Sequence, residues 1–168
     1  MRKRINIIIL LVMTLMPIVV HAQCKDDQSF LDFFRKFRAG VELNDPERIA
    51  QYTSFPFLAK IQLDSDAPLR VSKRQFTKYY KYIMNMEVET NETLPKKVTE
   101  RDLLLSNLPF NKVAKFSCMR DGEKLTLYKE VDIGQLGFKR DRKGFWYLKE
   151  GFLGDVYGYI QDNVEPVE

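Results

Sequence analysis

The last third of the chain constrains the fold most, because it holds four β-prone runs separated by turn signals at hairpin spacing. The runs span residues 113–119, 125–131, 135–140 and 145–149. The breaks between them carry Asp121-Gly122, Ile133-Gly134 and Gly144, and such residues favour tight connections between antiparallel strands. The sequence therefore predicts an antiparallel meander.

Two helices are predicted well before this meander. Apolar residues recur at helical spacing from Phe30 to Val41, and this first helix should end near Asn44. The second helix should begin with Asp45 as its N-cap and Pro46 in its first turn, positions that suit both residue types. The proline in the segment 55–57 should end it, because the residue before a proline disfavours helix.

A third helix is predicted after a strand at 58–63. Ser72 and Gln75 form a capping box at its start. Its inner stripe comprises Phe76, Tyr79, Tyr80, Ile83 and Met84. Two later segments stay open: 85–111 is either a short helix capped by Thr99 and Asp102 or an irregular excursion, and 156–160 either extends the sheet or ends it.

Helices first and a sheet afterwards is an α+β order, with the helices packed on the sheet. The part of the chain that follows residue 22 is rich in aromatic residues, and we expect it to form one hydrophobic core. The residues predicted to be mostly buried are Phe34, Phe37, Ile49, Phe76, Tyr80, Ile83, Phe116, Leu127 and Phe138.

The N-terminus has the pattern of a secretory signal peptide. Arg2, Lys3 and Arg4 precede an apolar run at 5–20, and small residues lead to Ala22. We expect residues 1–22 to be removed and residues 23–168 to form a single exported domain, periplasmic or secreted, without a stable membrane anchor.

Charge and histidine content exclude several functions of the mature domain. Three of the 27 basic residues and none of the 23 acidic ones lie in the signal, which leaves a net charge of +1. A nearly neutral domain lacks the basic field that nucleic acid requires. The only histidine, His21, is also in the signal, so chemistry that depends on imidazole is excluded. No metal and no cofactor are predicted.

The two cysteines are Cys24 and Cys118. In an oxidising compartment they can form a disulfide that ties the N-terminus to a later strand. The alternatives are one exposed and one buried thiol, or a lipid anchor on Cys24.

Several segments in this order resemble the small secreted bacterial domains of the nuclear-transport-factor-2-like superfamily. They are 30–34 through Val41, 44–47, 55–57, 72–76 and 144–148. The resemblance implies a strongly curved antiparallel sheet wrapped as a cone around a long first helix. It also implies a hollow that some members use for small ligands or for isomerase and dehydratase chemistry.

Aromatic residues are the candidate lining of such a hollow. Tyr79 and Tyr80 on the third helix would face Trp146 or Tyr147 on the closing strand, because an aromatic ring offers both an apolar face and a polar edge. The alternative for each is ordinary core. Since successive strand residues face opposite sides, Phe145 and Trp146 cannot both point inward.

Three functional classes follow. The first is a non-enzymatic binding module for a small apolar ligand or an envelope protein partner. The second is an envelope immunity or inhibitor protein, and the third is a small hydrolase or isomerase using a carboxylate with a tyrosine. A filled interior favours the second class and an open aromatic pocket the first. An open pocket that holds a buried carboxylate of raised pKa favours the third.

Export is predicted to occur with cleavage between Ala22 and Gln23. Intact-mass measurement of the exported protein should give a chain that begins at Gln23. A chain that still begins at Met1 in the membrane fraction would contradict the signal-peptide interpretation.

Overall fold

The computed structural model describes residues 28–61, 67–88, 97–108, 110–121 and 124–163. Its helices are α1 Gln28–Glu42, α2 Pro46–Ala50, α3 Lys73–Met84, α4 Glu100–Leu105, α5 Phe110–Val113 and α6 Gly154–Asn163. Its strands are β1 Thr53–Lys60, β2 Leu69–Val71, β3 Glu87–Val88, β4 Val98–Thr99, β5 Ala114–Asp121, β6 Lys124–Ile133, β7 Leu136–Arg140 and β8 Trp146–Phe152. The predicted signal peptide and Cys24 lie outside the described residues.

The predicted helix starts are confirmed by their caps. Asp45 accepts a hydrogen bond from the Arg48 amide at the start of α2. Ser72 and Gln75 form the complete capping box of α3. Thr99 and Asp102 form a second complete capping box at the start of α4. Of the two alternatives for 85–111, the short helix is therefore confirmed.

The sheet is mixed, which corrects the prediction that it is antiparallel throughout. Its order is β2-β1-β8-β7-β6-β5. The meander β5–β8 is antiparallel as predicted, but β1 pairs with β8 in parallel. Parallel neighbours need a long crossover, and here the connection runs through α3, α4 and the meander. The structure is α+β, and the sheet is open; the predicted cone shape stays a prediction.

Strand β1 begins earlier than predicted. It includes Phe55, Pro56 and Phe57, which were expected to lie before the strand. A proline can lie within a strand where the pairing is irregular, and the register between β1 and β8 shifts between Thr53 and Leu58. At the other end of the chain, 156–160 lies in helix α6, so the sheet ends at Phe152.

Helix α1 packs on the sheet through phenylalanine rings. The Phe37 ring meets the Phe138 ring edge-on, with centroids 5.1 Å apart. Phe30 meets Trp146 edge-on at 4.8 Å. Such pairs add about 0.5–1.5 kcal/mol each beyond the area they bury. On the other side of the core, Phe76 of α3 packs against Phe57 of β1.

Six of the nine predicted core residues are buried: Phe37, Ile49, Phe76, Tyr80, Ile83 and Phe138. Phe34 is only partly buried against the same core. Phe116 was predicted wrongly, because it is 40% exposed. It lies on the edge strand β5 opposite the fully buried Val131, and in the described part of the chain no further strand pairs with β5 on its other side. The side chain of Leu127 lies outside the described part.

Alanine substitutions should separate these environments. Phe76→Ala removes a fully buried ring and should lower the free energy of unfolding by about 3–5 kcal/mol, whereas Phe34→Ala should cost clearly less. Phe145→Ala is the control, because that ring is 66% exposed. Chemical denaturation measures all three, and a near-neutral Phe76→Ala would contradict the packing of α3 on β1.

Candidate functional site

Trp146 of β8 points into the core. Its indole nitrogen Nε1 donates a hydrogen bond to the Ser29 hydroxyl, 3.0 Å away, and its ring meets Phe30. The neighbouring Phe145 is exposed, which confirms that only one of the two lies inside. The indole is therefore anchored against the N-terminal turn of α1.

The predicted aromatic site is not assembled. Tyr79 and Tyr80 are buried on α3, and the charges of Asp45 and Arg101 act on the Tyr80 hydroxyl. Asp45 follows the C-terminus of α1, whereas Trp146 contacts its N-terminus; 15 residues of helix span about 22 Å. Tyr147 follows Trp146 on the strand and lies on the opposite face of the sheet.

That opposite face, which we call the outer face, carries an ion network produced by a β-bulge. The pairing of β7 with β8 shifts between Phe138 and Gly137, so that Phe138 pairs with Leu148 but Gly137 pairs with Glu150. Strict alternation from Leu148 would place Glu150 in the core. The extra residue, Lys149, re-aims it outward, as bulges commonly do.

Glu150 lies at the centre of the network. Its Oε1 is 2.6 Å from the Lys60 ammonium, and its Oε2 is 3.2 Å from the Lys139 ammonium. Lys139 also contacts Glu130 at 3.0 Å. Gly137 makes room for this arrangement, because a Cβ there would lie 2.9 Å from Glu150 Cγ.

Burial and hydrogen bonding act in opposite directions on Glu150. Burial would raise its pKa, but the hydrogen bonds from Lys60 and Lys139 outweigh burial and lower the pKa below the ordinary value. The carboxylate is thus ionised and held in one orientation, although only 9% of its side chain is exposed.

Asp132 lies beside the ion network on the outer face, but it forms no ion pair in the described part of the chain. It pairs with Gly137 across β6 and β7. Burial raises its pKa, and the charges of Glu130 and Glu150 raise it further. The charges of Lys139 and of Lys115, its partner on β5, oppose the rise. The side chain is only partly removed from water, so a cation from a partner can reach the carboxylate and would favour its ionised form.

Two further buried polar atoms lie away from this face. The Tyr80 hydroxyl and Glu100 Oε1 have no hydrogen-bond partner among the described groups. Burial raises the pKa of Tyr80 to about 12, although the Arg101 charge opposes the rise. Burial also raises the pKa of Glu100 to about 8.

Sequence reasoning missed both the outer-face network and Glu100. The available signal for the network was Gly137, a glycine inside a strand run, which often marks a bulge. For Glu100 the only signal was its place directly after Thr99, a predicted cap.

Cys118 lies on β5 and is disulfide-bonded. Cys24, the other cysteine of the sequence, lies outside the described residues, so the pairing of the two stays a prediction. Within the described ranges, no group of three or more acidic, histidine or cysteine side chains is placed to hold a metal ion. Likewise, none of the helices described there has the length and apolar character needed to cross a bilayer.

Comparison with protein-family models, with curated proteins and with solved structures found no match to this chain.

Replacing Glu150 tests the network. Glu150→Gln should lower the free energy of unfolding at neutral pH by about 1–3 kcal/mol, because both lysines lose a charged acceptor. Since the folded-state pKa of Glu150 is lowered, its contribution is present above the ordinary pKa and is lost as the pH falls below it. The difference from wild type should therefore shrink in acid.

Glu47→Gln is the matched control. Glu47 forms an exposed ion pair with Lys73, and exposed pairs contribute little. Denaturation curves of both variants between pH 3 and 7, a range that includes the ordinary glutamate pKa of 4.5, decide the matter. Equal behaviour of the two variants would show that Glu150 is not a structural centre.

Proposed function

We propose that this chain is an exported, non-enzymatic binding module that holds a protein partner on the outer face of its sheet. The observation that carries the proposal is the fixed ion network around Glu150, next to Asp132, for which the described residues provide no ion pair. Hydrogen-bonded charges at the centre of a surface are already oriented before binding, which reduces the cost of association. Complementary charge then selects the partner.

The partner should present a lysine or arginine side chain to Asp132. The charges of Glu130 and Glu150 act on Asp132, and those of Lys139 and Lys115 oppose them. The network directs the Lys60 ammonium to Glu150 and the Lys139 ammonium to Glu130 and Glu150. A cation from outside would relieve the repulsion between these carboxylates. Tyr147 and the 39% exposed Phe152 flank the network, and aromatic residues are enriched at interfaces.

The core supports a protein partner over a small apolar ligand. Phe30 alone contacts the rings of Phe34, Phe110, Phe138 and Trp146. Rings packed at these distances occupy the region between α1 and the sheet, where the resemblance to the nuclear-transport-factor-2-like superfamily would place a hollow. An exposed protein-binding face is the mode of action expected of an envelope immunity or inhibitor protein.

A carboxylate–tyrosine enzyme is less well supported. Glu100 is a fully buried carboxylate with a raised pKa, and Tyr80 is a buried tyrosine. Their relative exposures are 0% and 1%. A catalytic group must reach the proton or atom on which it acts, and both residues lie inside the core.

A photo-crosslinking amino acid at position 147, exposed to an envelope extract of the native host, tests the location of the face. The same amino acid at position 82, an exposed tyrosine on α3, is the control for the helical side. The adduct should form from position 147 and not from position 82.

The purified partner then allows an affinity measurement. Asp132→Asn should weaken binding by about 10- to 100-fold, since a hydrogen bond to a charged group contributes about 1.5–3 kcal/mol. Asp32→Asn, which removes an exposed carboxylate on α1, should leave the affinity unchanged. Equal affinities for wild type and Asp132→Asn would overturn the proposal, as would an adduct from position 82 alone.

A further inference from the structure

Glu100 is the first residue of α4, and its side chain is fully buried. Its amide donates a hydrogen bond to the Met86 carbonyl, 2.9 Å away. Its carboxyl Oε2 accepts one from the Gln135 amide at 2.9 Å. Gln135 lies in the turn between β6 and β7, so this single side chain joins α4 to a hairpin of the main sheet.

Gly134 provides the space for the carboxyl. Its φ is +57°, a conformation that glycine adopts without steric cost. A Cβ at this position would lie 2.5 Å from Glu100 Oε2 and 2.7 Å from Oε1. The carboxyl therefore fills the place where a side chain of the turn would otherwise be.

Among the described residues, no lysine or arginine forms an ion pair with this carboxyl. Arg101, the next residue on α4, donates to Asn44 Oδ1 and the Glu42 carbonyl. Arg38 of α1 donates to the carbonyls of Leu105 and Ser106 at the other end of the helix. On α3, the buried Tyr80 hydroxyl is neutral because its pKa is raised. In the turn, Gln135 donates one hydrogen bond to the carboxyl through its backbone amide, which carries no charge.

The turn is connected to the closing strand. The Gln135 carbonyl accepts a hydrogen bond from the Phe152 amide, and the Leu153 amide donates to the Lys60 carbonyl. The end of β8 is thus held by the same turn that receives Glu100.

We propose that Glu100 is a proton-dependent latch, whose neutral carboxyl closes the β6–β7 turn onto α4 and whose ionisation releases that turn together with the end of β8. A carboxylate in this place would be a buried charge with one hydrogen bond, and such a charge is costly unless it is paired. Movement of the turn or of Glu100 towards water removes that cost. This device does not depend on the proposed partner.

The pH range follows from the pKa of Glu100, which burial raises from 4.5 to about 8 while the Gln135 amide opposes the rise. The folded protein keeps the proton in a range where the unfolded chain has lost it. The stabilisation is complete below about pH 4.5, falls as the pH rises to about 8 and then stays constant. The latch is closed in acid and opens in mild alkali.

Hydrogen exchange of individual amides, corrected for the intrinsic pH dependence, tests the latch in the isolated mature protein. Between about pH 4.5 and 8, exchange at Gln135 and Phe152 should accelerate by up to about tenfold per pH unit, because the closed form keeps a proton that the open form loses. Above about pH 8 the acceleration should level off. Amides of the β6–β7 ladder at Val131 and Phe138 should stay protected. A carboxyl NMR titration of Glu100 in the same sample should give a midpoint near 8.

Glu100→Gln should abolish the pH dependence at Gln135 and Phe152, since an amide keeps the shape and cannot ionise. Glu87→Gln, an exposed glutamate in an ion pair with Lys97, should leave it unchanged. A Glu100 midpoint near the ordinary value would overturn the proposal, and so would protection at Gln135 that does not change with pH. Both are measured in wild type, so they hold even if a variant does not fold.

Discussion

The contact between the aromatic face of α1 and strands β7 and β8 is the interaction on which the rest of the structure depends. Phe30 touches rings from α5, β7 and β8, elements that lie about a hundred residues further along the chain. Closing such a distance costs conformational entropy, and the burial of several large rings offsets it. Once α1 lies on this face, the other face of the sheet must be the one that meets solvent.

Local features of the fold, such as helix caps, could be predicted from the sequence, whereas the pairing of the strands could not. The caps of α2 and α3 and the apolar stripe of α3 depend on neighbours within four residues, so their pattern is visible in the chain. The parallel pairing of β1 with β8 depends on which strand becomes the neighbour after the whole chain has packed. Phe116 illustrates the same limit: its β-prone run was correct, but its edge position came only from the strand order.

The ion network on the outer face was harder to predict, because one extra residue in β8 determines which face of the sheet Glu150 occupies. With regular alternation Glu150 would share the inward face with Leu148, and no sequence pattern would favour a glutamate there. The bulge at Lys149 moves Glu150 to the outer face while Leu148 and Gly151 stay in the core. Strand β8 therefore supplies apolar packing on one side and the centre of an ion network on the other.

The two buried glutamates respond to pH in opposite directions. Lys60 and Lys139 lower the pKa of Glu150, so its stabilisation is lost as the pH falls below the ordinary value of 4.5. Burial without a cation raises the pKa of Glu100, so its stabilisation is lost as the pH rises from 4.5 to about 8. The difference between them is the presence or absence of a lysine ammonium beside the carboxyl, because both side chains are almost completely removed from water.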